Sequence, residues 1–353
     1  MRSVIFANPF GIGDVLMTLR VVEAFRRARP QARIGFLGNE RTAELLRMAP
    51  FIDRVHVLDR DGFRRIGWSR LPGAVRALCL EVRDERYDAL ADLSLGRELS
   101  AYAALLGIRT RVGLDHKGRG IWLTRRYPLD SYEGMPVSQR QSIVLQGLGV
   151  GSAELTPTVT LRSSPSAIEA ARRVMDDLRG ASGGAVPLAM APGGGRSWGG
   201  NASYKQWDPD RFAQVAGSYA TARGCGVLLV GDRSEEPLLD RIRTSLRVPA
   251  RTMAGLPMGE LASALSACRA LLCNDGGPMH LASALGVPAV AIFGPVDELA
   301  YGPYGARAGS VLTADVPCRP CYKSFKFGGC AHQRACLERI EPARVLGALE
   351  KIA

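Results

Sequence analysis

The stretch ALLCNDGGPMHLASALGVPAVAIFGP, residues 270–295, limits the fold more than any other part of the chain. Ala270 to Cys273 is a short apolar run, and Ala289 to Phe293 is a second, closing on Gly294-Pro295. Runs this short suit parallel strands buried on both faces. Between them Met279, Ala282 and Leu285 recur at helical spacing, Pro278 fits a first helical turn, and Gly286 is a favourable helix stop. Strand, turn, helix and strand make a βαβ unit, which brings a parallel sheet with it.

The turn, Asn274-Asp275-Gly276-Gly277-Pro278, starts its helix with unpaired N–H groups above a strand end. Open α/β sheets keep their ligands there, and such a helix start attracts anions. A plain turn in which Asp275 caps its helix is the alternative. Taken whole, Asn274 to Pro288 resembles the donor-site signature of glycosyltransferase family 9, the ADP-heptose heptosyltransferases of lipopolysaccharide synthesis. The resemblance runs along nearly the whole chain and is strongest at 4–20 and 254–305.

The chain has 353 residues, of which 46% are hydrophobic and 23% charged, a balance that supports about two soluble domains. No apolar run approaches the ~20 residues of a membrane span. The N-terminus enters a strand-like run directly and lacks a signal-peptide core, so cytoplasmic residence is the expectation. The formal net charge of +12 admits nucleic acid, an anionic membrane surface or an acidic substrate as partner. Zinc-finger, RNP and basic-helix patterns are missing, which argues against nucleic acid.

Residues 1–165 alternate strands (Val4–Ala7, Ile34–Leu37, Val55–Leu58, Ala89–Leu93, Val112–Leu114) with helical patterns. The helical patterns are 15–29, 40–48, 71–82 and 97–106, with a further one at 141–148 and an irregular basic stretch at 115–142. Residues 166–340 repeat the theme. Strands are expected at Leu188–Ala191 and Val227–Val230, followed by the two of the opening stretch, and helices at 167–178, 208–222, 235–246 and 258–267. Residues 341–353 form a terminal helix, able to pack back on the N-terminal domain. Alternation of this kind gives α/β domains covered on both faces. The fold class implied by the resemblance is GT-B: two doubly wound, Rossmann-like domains facing across a cleft, the N-terminal one for acceptor and the C-terminal one for nucleotide sugar.

Asp14 follows Gly11-Ile12-Gly13 at a helix start, where the dipole favours its ionised form. By itself that is ordinary N-capping. The segment GIGDVLMT resembles the family's N-terminal Gly-Asp motif, which makes Asp14 the expected catalytic base and puts Gly13 beside the acceptor. The loop PGGGRSWGGNASYKQW, residues 192–207, has glycines that could cradle a diphosphate. Lys205 before Trp207 resembles the family's Lys-x-Trp element, whose lysine contacts phosphate; a solvated surface lysine is the alternative. The resemblance also implies donor contacts from Gly193, Gly194, Asp275, Gly276, Gly277, Met279 and His280. It implies ribose binding by Glu235, with Glu236 one residue of slippage away, and adenine passing along Ala254 to Pro257 beside Leu256. Arg64, Arg65, Lys117 and Arg119 suit an acidic acceptor such as an inner-core saccharide bearing carboxylates or phosphates, or else are simply solvated.

Cys318-x2-Cys321-x8-Cys330-x5-Cys336 is a tight group inside a loop at 317–337. In a cytosolic chain it reads as a four-thiolate metal site, zinc or iron, before it reads as disulfides. A similar cluster holds iron in autotransporter heptosyltransferases that the chain also resembles; unligated thiols are the alternative.

The resulting expectation is an inverting glycosyltransferase that moves heptose from ADP-heptose to an acidic saccharide at the inner membrane surface. No cofactor is needed for catalysis, because lysine and helix amides face the diphosphate. Heptosylation of a protein or small molecule, or a non-catalytic nucleotide-sugar-binding role, is the alternative.

Overall fold

A computed structural model describes residues 1–59, 71–151, 153–304 and 309–352. The chain divides into two compact units, Met1–Leu161 and Arg162–Ala353. The first contains β1 (Ser3–Ala7), β2 (Arg33–Asn39), β3 (Arg54–Leu58), β4 (Ala89–Asp92), β5 (Thr110–Asp115) and β6 (Arg125–Pro128). All five neighbouring pairs are parallel, in the order β3-β2-β1-β4-β5-β6. The second contains β7 (Leu188–Ala191), β8 (Val227–Gly231), β9 (Ala250–Ala254), β10 (Leu271–Asn274), β11 (Ala289–Ile292) and β12 (Gly309–Leu312). Its order, β12-β11-β10-β7-β8-β9, is also all parallel. Counted from each unit's own first strand, the two orders are the same doubly wound 3-2-1-4-5-6 arrangement. In both, chain direction around the sheet reverses between the first and fourth strands, β1/β4 and β7/β10. Ligand crevices of open α/β sheets form at that reversal.

The central strands are buried at every position, and apart from Ser3 and Asn274 at their ends their residues are apolar on both faces: SVIFA in β1, LLCN in β10 and AVAI in β11. Three strands that the sequence pattern does not reveal, β6, β9 and β12, are all edge strands. Arg125-Arg126-Tyr127-Pro128 shows why: an edge strand tolerates charge and proline, which removes the apolar run that marks a central one. The helix expected over 141–148 is two short helices, Val137–Gln141 and Ile143–Gly147, meeting at Ser142.

The first helix runs from Ile12 to Ala28 and buries Val15, Leu16, Leu19, Val22 and Phe25, the face its periodicity marks. Phe25 meets Phe6 of β1 edge to face at 5.6 Å between ring centres. The terminal helix Pro342–Ile352 joins the core of the second unit, where Val345 and Leu349 pack in one cluster with Trp207, Phe212 and Leu337.

Asp92 ends β4 beside Ala7 of β1, at the reversal of the first sheet. Its Oδ1 accepts from the Ser94 amide (3.0 Å) and hydroxyl (2.6 Å). Its Oδ2 has no hydrogen-bond partner among the described residues. Burial pushes this carboxyl up to about 6, with the Ser94 hydrogen bonds opposing. Between its ordinary value and about 6 the folded chain therefore binds a proton that the unfolded chain does not. Stability contributed at this position falls as pH rises through that window, and the cost of the buried charge is complete above it. Asp92→Asn is expected to stabilise the first unit by about 1–2 kcal/mol at pH 7.5, with the gain gone near pH 4. Urea unfolding at the two pH values reads this directly; an equal difference at both would mean that charge burial is not the cause.

Candidate functional site

In the second unit the site is assembled by the two segments that leave β7 and β10. Asn274, the last residue of β10, ties the first segment at both ends. Its Nδ2 donates to Pro192 O (2.7 Å) and Gly193 O (3.3 Å), and its Oδ1 accepts from Trp207 N (3.0 Å). Asn274 belongs to the motif but was not expected in a site role. A short amide at the end of a strand at a sheet's reversal, just before a glycine turn, is the signal that would have found it. The segment expected as a loop contains 3-10 turns from Arg196 to Lys205, with a kink at Gly199.

Clamped this way, Lys205 comes down on Asp275. Nζ and Oδ2 are 2.7 Å apart, with side-chain exposures of 6% and 7%. The alternative of a solvated surface lysine is overturned. Lys205 is one of the most enclosed cations of the chain, and burial of a charge this deep requires its partner. Its Nζ also lies 5.2 Å from the ring centre of Trp198. An ammonium has three donors, so the bond to Asp275 leaves two for other acceptors.

Helix Gly277–Leu285 begins directly after Asp275, with Pro278 in its first turn and Gly286 stopping it in the left-handed region at φ 75°. Gly276 is extended at φ 176°, which any residue adopts. The nearest atom a Cβ there would meet is Pro278 Cδ at 3.9 Å. Neither conformation nor crowding by protein demands glycine at this position. Met279 is fully buried and His280 is 8% exposed.

Gly193 is different. A Cβ would lie 2.0 Å from Glu235 Oε1, so the carboxylate occupies the space a side chain would take. Glu235 accepts from the amides of Gly195 (3.1 Å) and Asp232 (2.9 Å), pinning the glycine segment to the end of β8. A Cβ on Gly194 would meet Ala202 O at 2.4 Å, which closes the same segment on itself. Glu236, rather than Glu235, lines a cavity of about 540 Å³ with Leu256, Ala254, Asp240 and Arg173.

In the first unit the turn 8–11 leaves β1 and enters the first helix. Asn39 Nδ2 donates to Pro9 O (3.0 Å) and Phe10 O (2.6 Å), and Asn8 Oδ1 accepts from Phe10 N (3.2 Å). Asp14 is the third helical residue, half-buried, and its Oδ2 accepts from Gly11 N at 3.3 Å. Capping is therefore part of what it does. Thr18 Oγ1 stands 2.9 Å from both Asp14 O and Gln141 Oε1, and receives Asn8 Nδ2 at 2.7 Å. Burial pushes the Tyr132 phenol well above its ordinary range, a hydrogen bond with Gln141 opposes, and the Asp14 charge adds to the rise. Gly13 adjoins Asp14 on the helix. Lys117 and Arg119 are exposed on the turn after β5, with Lys117 at φ 55°. Arg64 and Arg65 lie outside the described residues.

Cys318, Cys321, Cys330 and Cys336 are free thiols in one loop. Burial pushes Cys336 up to about 11, and Cys321, Cys330 and Cys318 each add to the rise. The Arg334 amide donates to Cys330 Sγ at 3.3 Å. The expected four-ligand arrangement is not formed: among the described residues no three Cys, His, Asp or Glu side chains are arranged to hold a metal ion. Burial also raises the Cys321 thiol.

The family model for glycosyltransferase family 9 (heptosyltransferase) matches residues 75–332. Lipopolysaccharide heptosyltransferase 1 of Pseudomonas aeruginosa is 27% identical over 361 residues, 98% of this chain and 97% of its own. A family 9 glycosyl transferase structure from Veillonella parvula superposes with a TM-score of 0.84 at 21% identity, covering 99% of this chain and 97% of its own. The structure of E. coli ADP-heptose lps heptosyltransferase II does so with a TM-score of 0.78 at 20% identity, covering 100% and 98%. The two doubly wound units are thus the GT-B fold.

Proposed function

Because the chain belongs to glycosyltransferase family 9 and is a glycosyltransferase, we propose that it transfers heptose, with inversion, from ADP-heptose to a saccharide acceptor of the lipopolysaccharide inner-core type. The observation that carries this function is the enclosed Lys205–Asp275 pair beside the start of helix Gly277–Leu285. Inverting transfer is a single displacement. The acceptor oxygen attacks the anomeric carbon, loses its proton to a base, and the bond to the diphosphate breaks with its electron pair leaving on ADP. The first unit offers Asp14 as the base; the second offers Lys205 and the helix amides to the departing diphosphate.

The pairing changes the role expected of Asp275. A carboxylate already bonded to Lys205 acts first by holding that cation in place, and its remaining oxygen can accept a sugar hydroxyl. Lys205 then offers its other two N–H groups to phosphate oxygens without having to be recruited from solvent. The open space over Gly276 suits a ligand approaching backbone. Gly193 and Gly194 act by letting Glu235 and Ala202 close the loop, and Glu236 with Leu256 is the better-placed pair for the nucleoside. Lys117 and Arg119, with Arg64 and Arg65, would meet the acceptor's negative charges. Among the described residues no helix is long and apolar enough to cross a membrane. In this proposal an acceptor embedded in the inner leaflet is met from the cytoplasmic face by a peripheral enzyme.

A structural zinc or iron on Cys318, Cys321, Cys330 and Cys336 is the remaining part of the proposal, supported by their spacing and their common loop. Binding would require the thiols to lose protons and close on the ion. Native mass spectrometry with ADP-heptose and inner-core saccharides reads every part together. Expected are a bound ADP-sugar, ADP and a heptosylated saccharide as products, and one metal ion per chain. Intact donor after incubation with all acceptors would overturn transfer, and a metal-free mass with full activity would overturn the metal.

A further inference from the structure

We propose that the cysteine loop is the positioning element of Lys205, its hairpin acting through Trp198 and its Arg334 acting directly on the backbone beside the lysine. The proposal rests on Lys205 as the group that grips the donor's diphosphate, but its geometry stands apart from that function. Tyr322 and Phe327 are the cross-strand pair of β13 (Tyr322–Lys323) and β14 (Lys326–Phe327), a hairpin lying between Cys321 and Cys330. Its two turn residues, Ser324 and Phe325, both have positive φ, the tight two-residue turn that keeps such strands twisted together. The pair presents one aromatic face, and Trp198 stacks on it, 5.2 Å from Tyr322 and 4.8 Å from Phe327 between ring centres. Tyr204, the neighbour of Lys205, packs on Phe327 at 5.1 Å.

Trp198 in turn carries the ammonium of Lys205 over its ring. Arg334, four residues beyond Cys330, donates through Nη1 to Ser203 O (3.1 Å) and Gln206 O (3.2 Å), carbonyls on either side of Lys205. Its Nη2 is held by Glu338 at 2.8 Å, and its own amide donates to Cys330 Sγ. The loop's other end is fixed by the amides of Cys321 and Tyr322, both on Pro295 O. Lys205 is therefore held from three directions: Asp275 in front, the Trp198 face beside it, and Arg334 on the backbone to each side. Residues 196–205 have only short 3-10 turns of their own, so aromatic stacking and the guanidinium contacts supply the rigidity that local hydrogen bonding does not. The cysteine loop thus has a task with or without an ion in it.

Two readouts on the full chain test this. The first is amine acylation mapped by mass spectrometry. The chain has five lysines, of which Lys117, Lys323, Lys326 and Lys351 are exposed and Lys205 is buried, so the exposed ones are internal references. Trp198→Ala and Arg334→Ala should speed acylation of Lys205 relative to Lys117 by roughly tenfold, and Trp198→Phe should restore most of the protection. The second is ADP affinity in a double-mutant cycle. Trp198→Ala should weaken ADP by roughly tenfold in the native background and by less than about twofold when Lys205 is already alanine. Unchanged Lys205 protection in both alanine variants, or equal affinity losses in the two backgrounds, would overturn the proposal. A native protein that fails to bind ADP would remove the donor-site function instead, while the acylation ratio would still decide whether the hairpin positions Lys205.

Discussion

Asp14→Asn is expected to leave ADP-sugar binding within about twofold and to lower transfer by roughly 10²–10⁴-fold, the usual worth of a general base. Asparagine keeps the shape of the side chain, and its carbonyl oxygen can still accept from Gly11 N, so the helix start survives. What it loses is the capacity to take a proton. The missing charge in the first helical turn costs only about 0.3–1 kcal/mol of stability. Transfer and folding are thereby separated: single-turnover rates should collapse while the thermal midpoint hardly moves. Turnover within threefold of the native enzyme would remove Asp14 from the chemistry and leave it as a capping residue.

The second large effect concerns Lys205 and Asp275. Lys205→Ala strands a buried carboxylate, and Asp275→Ala strands a buried ammonium. Either should destabilise the second unit by about 3–5 kcal/mol, because the remaining charge loses its partner without regaining water. Replacing both together, as Lys205→Met with Asp275→Leu, should recover most of that loss, since the desolvation cost disappears with the charges. ADP affinity should not recover in the double variant, whose apolar pair cannot contact a diphosphate. Urea midpoints and ADP titrations on the four proteins give the full cycle. A double variant as unstable as the singles would mean that packing around Lys205, rather than charge, governs the site. A double variant that binds ADP normally would place the phosphate elsewhere.

Much of the architecture was legible in the sequence for a simple reason. Strands buried on both faces are apolar along most of their length, and helices that cover them must be apolar at a fixed period, so LLC, AVAI and the face of Val15 to Phe25 declare themselves. The edge strands Arg125–Pro128 and Ala250–Ala254 escaped notice because an edge has no such requirement. Among the proposed site residues, Asp14, Lys205 and Asp275 were marked by motifs. The contacts of Asn274, Trp198 and Arg334 were not, since each is made to backbone or rings distant in sequence.

The sequence by itself determined the α/β class, the two-part organisation and the family resemblance, and it named the titratable groups proposed for the chemistry. These follow from local periodicity and from residue types at short spacing, which one chain carries without reference to its folded partners. Only the tertiary structure decided that Lys205 is enclosed and paired, that Glu235 accepts the amides of Gly195 and Asp232, and that an aromatic hairpin from the far end of the chain stands behind the lysine. Burial and partnership are properties of distances between segments separated by tens of residues, and those distances exist only once both sheets have formed.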